Sequence, residues 1–226
     1  MTPATWPAPC IAGGATDELA LVADSGRQKR LLVIPALFDE ANKLRRLTVE
    51  VLRKLDAAGI DSFLIDLPGC NESLQSLPDI ALEDWRGAVT TAAAHFEATH
   101  VLAMRAGALL SPDALPGWLY APVKGASVLR QMLRARVIAS REAGREETRE
   151  GLLEKGLAQG LDLAGYRLDA RMIEGLEQAV PPTRDALRVL EQSAIGGPGL
   201  WLRAEPDYDE AQAEALAATI AIGIAT

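Results

Sequence analysis

Four short, mainly apolar runs constrain this chain more than any other feature: Leu31 to Ile34, Phe63 to Asp66, His100 to Met104 and Trp118 to Pro122. Leu31-Leu32-Val33-Ile34 lacks the in–out alternation of a half-wetted strand, which predicts a strand covered on both faces of a parallel sheet. Between the runs the apolar spacing changes to that of helices. Leu44, Leu47, Val51, Leu52 and Leu55 fall on one face of a helix expected over 39–58, with Asp39 and Glu40 at its start and Gly59 as its stop. Leu82, Trp85, Val89, Ala92, Ala93 and Phe96 form a second stripe, for which Asp79 can supply the cap. Strand–helix alternation with short connections implies right-handed crossovers and one parallel sheet with helices on both faces.

Around this frame the rest of the chain reads as one domain over 1–226. Residues 1–18 hold three prolines and no clear period, and are expected to be an irregular arm. Glu18 to Ala23 is a candidate edge strand, and Asp24-Ser25-Gly26 a turn. From Val123 the character changes: 123–160 is helical and charged, with six Arg between Arg130 and Arg149, and resembles a lid-like insertion. Leu161 to Leu168 reads as extended and Asp169 to Val180 as helical. Ala186 to Leu190 and Leu200 to Leu202 are candidate late strands, before a final helix from Asp209 to Ile222.

The stretch with most chemical content is His100 to Leu110, a short strand, a sharp turn and an expected helix start. It has the outline of a nucleophile elbow, G-x-S-x-G, in which the turn lifts a Ser above the sheet of an α/β-hydrolase. Ala103 stands at the first Gly, Arg105 at the Ser, and Gly107 at the last small position. A guanidinium stays protonated and is no nucleophile. The His base that ordinarily follows the last strand is also missing, since no His follows His100. Glu191 stands roughly where a triad acid would.

Arg105 has two readings. The crevice beyond the carboxyl ends of parallel strands is where open α/β sheets take ligands. There, Arg105 with the Ala106 N–H and one from Leu37–Phe38 would hold a carboxylate or phosphate. Alternatively Arg105 pairs with a local acid: Asp39, Glu40 or Asp66. The polar residues that follow Phe38 (Asp39, Glu40, Asn42 and Lys43) either line the crevice or form a solvated helix face. A carboxylate-activated water, using Glu40, Asp66 or Glu191, is the hydrolytic alternative. Cys70 would need His95 or His100 as its base and reads better as structural.

Other classes fall away. A net charge of −8 argues against a general nucleic-acid binder or an anionic membrane surface. No run reaches the length of a membrane span, and Met1 to Asp17 has no basic residue before an apolar core, so a signal peptide is not expected. Cys10 and Cys70 make no disulfide framework, which fits a reducing cytoplasm. The two His and scattered carboxylates show no metal spacing, and no Gly-rich phosphate loop follows the first strand, so no cofactor is expected.

Pro35-Ala36-Leu37-Phe38-Asp39-Glu40-Ala41-Asn42-Lys43-Leu44-Arg45-Arg46 resembles the P-P-F-A-E-E-M-N-K-x-R-R segment of the exosortase A system-associated hydrolases of the second kind, a branch of the α/β-hydrolase superfamily. Pro35, Glu40, Asn42, Lys43, Arg45 and Arg46 match; Ala36, Leu37 and Asp39 depart. That family's elbow reads G-L-R-L-G, so Arg105 and Gly107 match it and Ala103 departs. Asp66, Leu67, Gly69 and Ser73 resemble its D-L-x-G-x-G-x-S loop, with Asn71 departing, and the similarity continues through Trp118 to Arg134 and Leu163 to Leu168. The resemblance implies an α/β-hydrolase fold and a cytoplasmic role beside bacterial exopolysaccharide and protein-sorting systems. The expectation is an α/β-hydrolase-like protein without Ser-hydrolase activity that binds a small anionic ligand or a protein partner at the old active site. A purely structural partner in an export or synthesis complex, using the charged 125–160 segment as its contact surface, is the remaining alternative.

Overall fold

The computed structural model describes residues 1–225. In chain order its elements are β1 (Thr2–Pro9), β2 (Ala15–Ala23), β3 (Arg30–Ile34), α1 (Asp39–Ala57), β4 (Asp61–Ile65), α2 (Leu82–His95), β5 (His100–Met104) and β6 (Gly117–Tyr120). There follow α3 (Gly125–Glu142), α4 (Arg149–Gln159), β7 (Leu161–Leu163), β8 (Tyr166–Leu168), α5 (Ala170–Gln178), β9 (Leu187–Leu190), α6 (Gln192–Ile195) and α7 (Glu210–Ala225). The main sheet has seven strands in the order β1-β2-β4-β3-β5-β6-β9. β4, β3, β5, β6 and β9 run parallel, and the β1–β2 hairpin joins antiparallel at one edge. β7 and β8 form a separate small hairpin.

The side-chain period of two on β3 explains why its whole run is apolar. Leu32 and Ile34 enter one core, packed by α2, α3 and α5; Leu31 and Val33 enter the other, packed by α1 and α7. The stripe read on α1 is buried as expected, at Leu44, Leu47, Val51, Leu52 and Leu55. Each such leucine contributes about 1.5–3 kcal/mol by leaving water. Leu129, Met132 and Leu133 of α3, Leu152 of α4 and Met172, Ile173 and Leu176 of α5 join the first core, so 125–178 packs on the sheet.

Four local expectations are corrected. Residues 2–9 are not irregular but form β1. Pro3, Pro7 and Pro9 share one parity, so a ladder of period two puts all three on the open edge, where no N–H is required. Their even-numbered neighbours Trp6 and Ala8 point into the core. Asp79 does not cap α2; it ends a short 3₁₀ turn, and Asp84 instead accepts the Ala81 N–H at 2.7 Å. The segment after β5 is a 3₁₀ turn from Arg105 to Leu110, not the start of an α-helix. Leu200–Leu202 is a 3₁₀ turn, because Leu200 and Trp201 both turn into the core between α1 and α7.

Candidate functional site

The site forms where β3, β4 and β5 end. β5 stops at Met104, and Arg105 then takes φ 52°, the left-handed region that a non-glycine residue enters at a cost of about 1–3 kcal/mol. Phe38, just beyond β3, has φ 55°. Gly107 explains how the turn fits against β3: a Cβ there would lie 2.2 Å from the Pro35 carbonyl oxygen. The turn thus combines a strained residue at the end of β5 with a close approach to the end of β3, and carries a guanidinium there.

That guanidinium is already engaged. Arg105 Nε donates to Glu40 Oε2 at 3.0 Å, Nη2 donates to Glu40 Oε1 at 3.2 Å, and Nη1 donates to the Ala121 carbonyl at 2.7 Å. Its plane lies 3.9 Å from the ring centre of Trp201, a cation–π arrangement. Both side chains of the pair are nearly buried, 12% exposed for Arg105 and 10% for Glu40. α1 makes this possible, since it begins immediately after Phe38 and directs Glu40, in its first turn, inward. Trp201 in turn packs edge-on against Tyr120, whose hydroxyl donates to Gln192 Oε1 and whose burial pushes its pKa up to about 12.

The other candidates are distributed around this pair. Ala106 is buried beneath the turn. Asp39 is exposed and pairs with Lys43 at 2.8 Å across one helical turn, and Asn42 is exposed, as on a solvated face. Asp66 accepts the Asn71 side-chain amide at 2.7 Å and lies 3.6 Å from Arg45. Glu191 is exposed just ahead of α6. The structure therefore joins Glu40 to Arg105, and gives Asp66 partners of its own. His100 opens β5 while Arg105 follows its end, which separates them by the length of the strand, roughly 16 Å. His95 sits in the last turn of α2, with its ring against Phe96.

Around Phe38 and Ala41, which flank Glu40 in the chain, lies a cleft of about 160 Å³, lined also by Pro35, Leu37, Cys70, Asn71, Trp85 and Tyr166. Phe38 packs at 5.7 Å from Trp85 and 5.2 Å from Tyr166, ring centre to ring centre. Burial pushes the Cys70 thiol up to about 12, so it stays protonated and is no nucleophile at neutral pH. Among the described residues, no group of three or more His, Cys, Asp or Glu is placed to hold a metal ion. No helix of the described residues is long and apolar enough to cross a membrane.

Sequence reading named Arg105 and Glu40 but missed Trp201 and the Ala121 carbonyl. The only signal for Trp201 is an aromatic just after the Gly- and Pro-rich stretch 196–199, where a large apolar side chain needs somewhere to pack. No model of a known protein family and no curated protein matches the sequence. Solved structures do match in shape. Alpha/beta hydrolase domain-containing protein 10 from mouse superposes with a TM-score of 0.63 at 15% identity, covering 100% of this chain and 99% of that one. Est1E from Butyrivibrio proteoclasticus, solved with ferulic acid, gives 0.56 at 13% identity, covering 92% and 94%. The chain has the α/β-hydrolase fold; at such identity the likeness extends to the fold alone.

Proposed function

We propose that this chain is a non-hydrolytic protein of the α/β-hydrolase fold, one that binds a ligand or partner at the position of the old active site. One observation carries the reading: the residue at the nucleophile position is a guanidinium tied on two edges by Glu40 and covered on its face by Trp201. Acyl transfer needs a nucleophile and a base in contact, and Cys70 is protonated and both His lie towards the other end of the sheet. Glu40 cannot serve as a free base while both its oxygens accept from Arg105.

The ligand enters the aromatic cleft rather than resting on Arg105, whose charge Glu40 already matches. An anion at Arg105 has to displace Glu40 first. Phe38, Trp85 and Tyr166 suit a planar or apolar group, and Asn71 gives the rim a hydrogen-bonding edge. The setting, a bacterial exopolysaccharide or protein-sorting system, is supported by the likeness of 35–46 and of Arg105 and Gly107 to the family named above. Residues 123–160 are an insertion of the same domain in this reading. Calorimetric titration with indole, a neutral planar probe, tests the cleft. Saturable binding by the parent that Ala41→Phe abolishes is expected; binding unchanged by Ala41→Phe, or no binding, contradicts the cleft as a site.

A further inference from the structure

α3 carries a row of cations that the fold leaves without partners. Counting 100° per residue, Arg130, Arg134 and Arg141 fall within about 40° of one another on the helix, with Ile138 on their flank. All four are exposed, whereas Leu129, Met132, Leu133 and Ser140 point inward. Arg145, beyond the helix end, is exposed too but acts on Glu147, on the other side of the helix. None of the Arg130, Arg134 and Arg141 side chains makes an ion pair or hydrogen bond among the described residues. Nor is this a shortage of carboxylates. Arg136, on the opposite side of α3, holds Glu147 at 2.9 and 3.2 Å, and Ser140 donates to the same carboxylate. Glu150 and Glu177 border the groove that Arg130 lines, yet neither pairs with it. α3 contains no acid before Glu142, its last residue, in a chain whose net charge is −8.

We propose that this face of α3 docks an acidic segment of a partner protein. The guanidinium fork matches planar carboxylates two bonds at a time, and every cation of α3 is an Arg, not a Lys. The row from Arg130 to Arg141 spans about 16 Å along the helix, the reach of three turns of a facing helix or of five extended residues. A nucleic acid is the poorer occupant, because α3 offers no aromatic ring on which a base could stack. An anionic membrane is poorer too: Ile138 is the one large apolar side chain exposed on this helix, and the chain as a whole is acidic. No α3 residue lines the aromatic cleft, so this face is separate from it.

The test uses the full chain and a fluorescein-labelled deca-glutamate peptide, read by anisotropy at low and high salt. Binding is expected for the parent, at least 20-fold weaker in Arg130→Glu/Arg134→Glu/Arg141→Glu, lost in 0.5 M salt, and unchanged in Lys29→Glu at the far end of the sheet. Should the triple variant fail to fold, Arg134→Glu alone reads the same face, with a loss of several-fold. The proposal is overturned if the peptide does not bind, if charge reversal leaves binding unchanged, or if the parent prefers phosphatidylglycerol vesicles or a single-stranded oligonucleotide of equal charge. Indole binding in the charge-reversal variants should match the parent, which separates failure here from failure of the cleft.

Discussion

Arginine–carboxylate clusters cap both ends of the same sheet, and they differ in instructive ways. At the amino end Asp61, fully buried, accepts from the Ser25 and Arg27 backbone N–H groups and from the Arg27 and Arg30 guanidinium groups. Arg27 also reaches Asp56, and Arg30 reaches Asp24 and lies over the Phe63 ring. None of these residues has a left-handed backbone, and the cluster ties the starts of β3 and β4 to the chain that enters them. At the carboxyl end the Arg105–Glu40 pair has one carboxylate for one guanidinium, a strained φ, a stacked Trp and an aromatic cleft alongside. Equal chemistry thus serves stability at one end. At the other it lies beyond the ends of the parallel strands, beside a strained turn and a cleft. Strain and an adjoining cleft mark a site; an ion pair alone does not.

The largest expected effect breaks the amino-end cluster. Asp61→Ala removes the buried acceptor that two N–H groups and two guanidinium groups share, leaving the guanidinium groups only Asp56 and Asp24, and should cost about 3 kcal/mol in urea unfolding. A loss under about 1 kcal/mol would mean that this cluster is as dispensable as a surface pair. The carboxyl-end pair should respond less and in a different pattern. Glu40→Ala should cost about 2 kcal/mol because Arg105 stays buried without its anion, whereas Glu40→Met/Arg105→Met should fall within about 1 kcal/mol of the parent. Additive losses in that cycle would contradict the pair as a coupled unit.

Acid sharpens the contrast further. Arg30 holds the Asp24 carboxyl down to about 2, and Arg136 with Ser140 holds Glu147 down to about 2. In the unfolded chain these groups take protons near pH 4, while in the folded chain they do so only near pH 2. Their contribution is therefore present above pH 4 and is lost as pH falls through 2. The urea midpoint should decline over that window, and Asp24→Asn should flatten part of the decline; an unchanged slope would remove Asp24 from the account. The smallest effect is chemical. Cys70, protonated and mostly enclosed, should react with iodoacetamide at pH 7.5 far more slowly than a free thiol, as read by mass spectrometry. Rapid alkylation would show a thiolate in the cleft.

How far the sequence reveals all this depends on the range of the interaction. α1, α2 and the β3–β6 core are legible because a local period and an apolar run decide each of them. β1 is not, since its prolines are read as breakers until β2 shows which edge they face. The elbow is legible as a strand and a turn, but its expected helix is a 3₁₀ turn, a difference that its small residues Ala106, Gly107 and Ala108 do not encode. Glu40 was one of three acids within reach of Arg105. The choice among them depends on where α1 starts relative to the end of β5, which brings together Glu40 and Arg105 across 65 residues of sequence. Trp201 belongs to a segment packed among α1 and α7 residues, so the local pattern marks it as an aromatic to be buried but not where.

The most direct test of the non-hydrolytic reading is turnover. The parent, Arg105→Ala and Glu40→Gln should be assayed side by side on p-nitrophenyl esters and acyl thioesters of graded chain length. The account predicts rates no different from buffer for all three. Saturable turnover by the parent that Glu40→Gln or Arg105→Ala abolishes would contradict it, and would make the guanidinium–carboxylate pair a catalytic device.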